Sequence, residues 1–254
     1  MKKISSLLLA ILTFYFSLTL SVQAQVVSVA TQPSQVGFSS DRLARIDSTI
    51  DRWVKQGWMQ GGTALIIRNG KIAYHKGFGY SDLDSKTPMQ KNDIFRIASQ
   101  TKAITSVAIM MLFEEGKLLL DDPVSKFIPA FKSQQVLNTF NEADTTYTTV
   151  PAKREITIRQ LLTHTSGLGY ASIGTKEANA IYAKANLTAG LNVQGDDLLS
   201  AMNRLAKMPL MHQPGEKWTY GLNTDLLGCL VEVISGKTLD AFFKERIFMP
   251  LGMK

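Results

Sequence analysis

The chain has 254 residues, 45% of them hydrophobic, with a net charge of +7 and a single cysteine. That is enough chain for one large domain or two lobes. The positive excess is spread out, with no Lys/Arg run interleaved with aromatics, so nucleic acid is excluded as the expected partner. Cys229 has no internal disulfide partner, and among Leu and Val it reads as a small buried hydrophobe. His75, His164 and His212 lack close metal-ligand spacing, so neither a metal nor another cofactor is expected.

In chain order, Met1-Lys2-Lys3, the apolar run Ile4 to Val22 and Val22-Gln23-Ala24 form the pattern of a secretory signal peptide cleaved near Ala24. A membrane anchor is the other reading, because the run is slightly long for a signal core. Cleavage leaves about 230 residues and a charge of about +5, with no later segment that spans a bilayer. The product is expected to be exported, periplasmic or secreted. Residues 25–38 read as a flexible lead-in and 39–254 as the folded domain. Ser39-Ser40 caps a helix in which Leu43, Ile46, Ile50, Trp53 and Val54 recur at helical spacing. Thr63 to Ile67 and Ile72 to Tyr80 flank Asn69-Gly70, a strong hairpin signal.

Beyond Asp93 the pattern turns helical. Ile104, Val107, Ala108, Met111 and Leu112 form an apolar face, and Gly116 stops it. Asp122-Pro123 opens a short helix, residues 134–155 read as a long polar loop, and Thr157 caps another short helix. Further helices are expected at about 176–184, 196–207, 222–235 and 239–248. No repeat is present. A two-stranded hairpin is marginal alone, and the chain offers no obvious further strands, so its sheet looks incomplete.

Ser99 and Lys102 stand one helical turn apart on one face, at a helix N-terminus that favours developing negative charge. A serine hydroxyl needs a nearby base, and a lysine made neutral by partial burial can serve. The pair alone means little: such spacing arises about once by chance in a chain this long. Tyr220 stands just ahead of an apolar helix. Its default reading is a core aromatic, but a phenol near cations can exchange protons, giving a Ser–Lys–Tyr relay.

Five ordered segments make the chain resemble the superfamily of serine β-lactamases, D-alanyl-D-alanine peptidases and family VIII esterases. They are the Gly61–Tyr80 hairpin, Phe95 to Lys102, Leu161 to Leu168, Tyr220 to Gly228 and Ile247 to Met253. The resemblance implies an α/β (α+β) fold, an antiparallel sheet flanked by helices beside a mostly helical lobe, with the active site between lobes. It makes Ser99 the acylated nucleophile, Lys102 its partner and Tyr220 the second-motif tyrosine, with the Ser99 N–H as one oxyanion donor. It also places residues 164–170 at the pocket border, so Gly167, Tyr170 and Asn223 are candidate substrate contacts. His164 is read as structural and not as a triad histidine.

Class C β-lactamases carry Tyr-x-Asn at the second motif. Here Leu222 holds the third position and Asn223 follows one later, which favours an ester or small amide over a β-lactam. Gly236-Lys237-Thr238 reads as a capping turn and neither as the superfamily's third motif nor as a P-loop. The superfamily pattern continues beyond Met253 with three strands, the third motif, a second oxyanion donor and a closing helix. The chain is therefore expected to be C-terminally truncated, to fold poorly alone and to be impaired in activity in this form. The expected substrate is a carboxylic ester, a β-lactam or a D-amino-acid (peptidoglycan-like) peptide. A non-catalytic penicillin-recognising sensor or inactive homologue is the alternative.

Overall fold

The computed structural model describes residues 27–187 and 197–253. The expected signal segment lies outside them, as does Asp196 at the start of one expected helix. The chain divides into two compact units, residues 1–96 and 97–254.

In the first unit, helix α1 (Ser40–Lys55) begins where Ser39 Oγ accepts the Arg42 N–H, and it buries Leu43. Strands β2 (Gly61–Arg68) and β3 (Lys71–Asp82) form the expected antiparallel hairpin. Asn69 and Gly70 turn with φ of 52° and 68°, the pair of positive values that a type I′ turn requires. Asp47 of α1 accepts a hydrogen bond from Tyr74 and pairs with Lys76 at 3.0 Å, tying the helix to β3. Residues 28–38 carry structure where a flexible lead-in was expected. Strand β1 (Ser28–Val29) pairs parallel with β3, and the 3-10 turn Pro33–Val36 buries Val36. Strand β4 (Thr87–Pro88) pairs antiparallel with the far end of β3, and the parallel β1 makes the sheet mixed.

In the second unit, a 3-10 turn (Ala98–Gln100) leads into helix α2 (Thr101–Glu114), and Gly116 at φ 68° ends it. Residues 134–155 are not the expected loop. They hold strands β5 (Gln135–Phe140) and β6 (Tyr147–Pro151), paired in a hairpin. The Leu210 backbone also exchanges hydrogen bonds of 2.8 Å with Gln135 and Leu137. That anchor stands some seventy residues downstream, beyond any local reading.

Helix α3 (Ile158–Leu162) starts with a reciprocal capping box between Thr157 and Gln160. Helix α4 (Lys176–Lys184) has the expected bounds, and α5 (Leu198–Leu205) is capped by Asp197. Helix α6 (Asn223–Ser235) is buried nearly all round from Leu226 to Val231 and packs on α2, α3 and α5. Helix α7 (Leu239–Phe243) continues into a π-helical turn, Lys244–Phe248. The unit encloses one apolar core, with Ile109, Leu112, Phe131, Tyr182, Leu230 and Phe242 fully buried. Cys229 lies within it, and burial pushes its thiol up to about 12. Among the described residues no helix is long and apolar enough to cross a membrane.

Candidate active site

Ser99 sits in the 3-10 turn that feeds α2, directly after Ala98. Ala98 has φ 43°, left-handed backbone that costs an L-residue with a Cβ about 1 kcal/mol or more. The turn leaves Ser99 exposed, and helix periodicity sets Lys102 one turn on, half-buried. Lys102 Nζ donates to Ser99 Oγ at 3.2 Å, and Tyr220 Oη lies 2.9 Å from the same oxygen. The three residues singled out in the sequence therefore meet at one atom, although 121 positions separate Ser99 from Tyr220.

Tyr220 is held by close backbone packing. The 164–169 segment is stitched to the chain running into α6: Thr219 N–H donates to His164 O, and Leu222 N–H to Gly169 O. A Cβ on Gly221 would lie 2.0 Å from the Leu168 carbonyl oxygen, so only glycine lets these backbones approach this closely. The Lys102 ammonium, 4.9 Å from the Tyr220 ring centre, and the Ser99 hydroxyl hold the phenol below its ordinary pKa. Asp225, in the first turn of α6, is mostly buried. Burial raises its carboxyl above the usual range.

The residues expected to touch substrate lie behind this triad. Gly167 is buried with φ 93°, its carbonyl accepts the Met211 N–H, and a Cβ there would meet His212 O at 2.5 Å. Tyr170 is 8% exposed and tilts against Tyr220, with ring centres 5.6 Å apart. Asn223 is fully buried. Its Oδ1 accepts from Ser166 Oγ, and its Nδ2 donates to His164 Nδ1 at 2.9 Å. All three are buried, and Tyr170 and Asn223 contact Tyr220 and its neighbour His164 respectively.

His164, read from the sequence as structural, lies against Tyr220. Its ring stacks on Tyr220 with centres 5.3 Å apart and planes at 16°. Burial, and then the Lys102 charge, depress its pKa. The visible signal was the short segment His164-Thr165-Ser166-Gly167, but nothing local placed it against Tyr220. Trp218 completes an aromatic wall, 64% exposed, with its ring 6.2 Å from Tyr220. His212 bridges the Gln213 carbonyl and the Thr219 hydroxyl, both at 2.9 Å. Among the described residues no cluster of three His, Cys, Asp or Glu could hold a metal ion.

A serine, a lysine and a tyrosine converging at the head of a half-buried helix, in an α/β fold, define a protein of the serine β-lactamase and penicillin-binding type. The beta-lactamase family model matches residues 46–254, and the chain belongs to that family. It is 35% identical over 211 residues to esterase EstB of Burkholderia gladioli, covering 83% of this chain and 50% of that one. Among solved structures it resembles EstCE1, a hydrolase with promiscuous acyltransferase activity, with a TM-score of 0.71 at 30% identity. That match covers 84% of this chain and 52% of the other. Simvastatin synthase (LovD) from Aspergillus terreus gives a TM-score of 0.67 at 27% identity, covering 85% and 53%. The chain thus spans about half the length of these relatives.

Proposed function

We propose that the protein is a serine hydrolase that forms an acyl-enzyme on Ser99. The observation that carries this reading is the convergence of Lys102 Nζ and Tyr220 Oη on Ser99 Oγ. With one lone pair of the serine oxygen taken by Lys102, its proton is free to point at the Tyr220 oxygen. As Ser99 Oγ bonds to a carbonyl carbon, that proton passes to the Tyr220–Lys102 pair. The bond to the leaving alcohol or amine then breaks, and the pair returns the proton to it. Water attacks the acyl-enzyme by the same route reversed and restores the serine. The Ser99 N–H, at the head of α2, would be one donor to the oxyanion.

We favour a carboxylic ester over a β-lactam or a D-amino-acid peptide. Both polar ends of the Asn223 side chain are engaged by Ser166 and His164. The asparagine is therefore not free to orient the amide of a lactam. Exposed Trp218 offers a flat apolar surface beside Tyr220. EstB, named an esterase, points the same way.

The test treats the whole chain with a fluorophosphonate probe, p-nitrophenyl butyrate and a chromogenic cephalosporin. The expected result is a stoichiometric adduct mapped to Ser99, lost in Ser99→Ala, with ester turnover exceeding cephalosporin turnover. A cephalosporin adduct that never turns over would support the sensor alternative, and no adduct of any kind on the full-length protein would sink the nucleophile assignment. We propose too that residues 1–24 are an export signal. Intact Met1 on protein recovered from a native periplasm would overturn that.

A further inference from the structure

We propose that His164 is a positioning residue that holds Tyr220 over Ser99 from both flanks of the tyrosine and must stay uncharged to do so. The inference rests on the acyl-transfer reading above. Three contacts carry it, and together they span residues 219–223. The His164 carbonyl accepts the Thr219 N–H at 2.8 Å, just before Tyr220. The imidazole stacks on the Tyr220 ring itself. Its Nδ1 meets Asn223 Nδ2 at 2.9 Å, three residues after Tyr220. The backbone of His164 turns through φ 55° to allow all three, a conformation that histidine and asparagine tolerate better than most residues.

The direction of the hydrogen bonds fixes the protonation of the ring. Ser166 is fully buried, and its Oγ already accepts the Leu168 N–H at 3.1 Å. Its own hydroxyl proton needs an acceptor, and the facing atom is Asn223 Oδ1. That orientation aims the Asn223 NH₂ at His164 Nδ1, which must therefore be a bare acceptor. The chain of donation runs from the Leu168 N–H to Ser166, to Asn223, to His164. A proton on Nδ1 would set two donors face to face and break the chain at its last link. It would also add a charge beside Lys102, from α2, which already disfavours the imidazolium. Tyr220 stacks on the ring, while Asp225 in α6 acts on Tyr220 and Tyr170.

Two variants separate stacking from hydrogen bonding. His164→Asn tolerates the left-handed backbone and keeps an acceptor but loses the aromatic stack. His164→Phe keeps a stacked ring and loses the acceptor and the titration. The rate of Ser99 acylation by p-nitrophenyl butyrate is measured against pH, alongside thermal unfolding. In the wild type, acylation should fall first-order in proton concentration as the Tyr220 phenolate gains its proton. It should turn second-order once the imidazole protonates. His164→Asn is expected to lose roughly 10- to 100-fold in kcat with KM nearly unchanged, and both variants should stay first-order throughout. Any titration of Asp225 persists in both, so it is not mistaken for His164. Variants that unfold at lower temperature but acylate at the wild-type rate with the wild-type pH slope would overturn the proposal, because His164 would then be structural only.

If the wild type itself fails to acylate, the reaction reading fails, and the positioning claim is read from the phenol instead. Ultraviolet titration of Tyr220, isolated by subtracting Tyr220→Phe, should show its pKa rising toward the ordinary phenol value in His164→Asn. An unchanged Tyr220 titration would overturn the inference independently of any activity.

Discussion

Gly221 and Lys102 set where the Tyr220 oxygen stands and when it ionises. A side chain at Gly221 collides with backbone at 168–169, and backbone cannot swing aside as the tip of a side chain can. Gly221→Ala should therefore cost about 2–3 kcal/mol by overpacking. It should also push Tyr220 away from Ser99, cutting acylation on the order of 100-fold, since a displacement of about 1 Å suffices for that. Chemical denaturation and burst kinetics measure the two effects, and wild-type kinetics in a folded Gly221→Ala would contradict the packing argument. The Lys102 charge favours the phenolate, which is why the Tyr220 pKa is lowered. Removing that charge in Lys102→Met must move the ionisation of Tyr220 to higher pH. A difference titration showing no alkaline shift would mean that Ser99, and not Lys102, dominates the phenol.

At the scale of elements, the capping box of α3 is a self-contained test of local encoding. Thr157 Oγ1 accepts the Gln160 N–H and the Gln160 side chain accepts the Thr157 N–H. Thr157→Ala should cost about 1 kcal/mol, and Gln160→Ala less. The two losses should not add, because each removes the same reciprocal arrangement. Denaturant midpoints of the single and double variants measure this, and strict additivity would contradict it. The element is also a measure of what sequence can disclose. Ser39, Thr157, Asn69-Gly70 and Gly116 act within four residues of themselves, so the helices and the β2–β3 hairpin were legible. The β5–β6 hairpin was not, because its threonine-rich strands show no apolar alternation and it is anchored by Leu210. Ser99 and Lys102 were legible as one helical turn, and Tyr220 through its family segment. The stacked His164, the buried Asn223 and the backbone contact at Gly221 depend on two loops meeting, which no local pattern records.

At the scale of the whole molecule, burial is divided unevenly between the units. Among the described residues of the first, Val36, Leu43 and Phe78 are the buried apolar side chains. Leu65 and Ile67 project from one face of β2 while remaining 51% and 48% exposed. The second unit holds a continuous core from Ala108 to Ile247. Apolar burial contributes about 25 cal/mol per Å², so most of the chain's favourable folding energy resides in residues 97–254. The sequence led to the expectation that the chain folds poorly alone. Independently of that expectation, burial is sparse in the first unit, and a small core opens at low free energy. Native-state hydrogen exchange should then find amides of α2 and α6 protected to the limit of global unfolding. Amides of β2 and β3 should exchange through a partial opening that leaves the helices intact. Raising denaturant should leave the β2 and β3 exchange almost flat while α2 and α6 fall steeply, because little surface is exposed in the partial opening. A single isotherm shared by all four elements would show that the two units unfold as one. Leu65→Lys with Ile67→Lys should lower any association of the chain at high concentration by charging the β2 edge, without altering α6 protection. Loss of α6 protection in that double variant would place those two side chains in the cooperative unit after all.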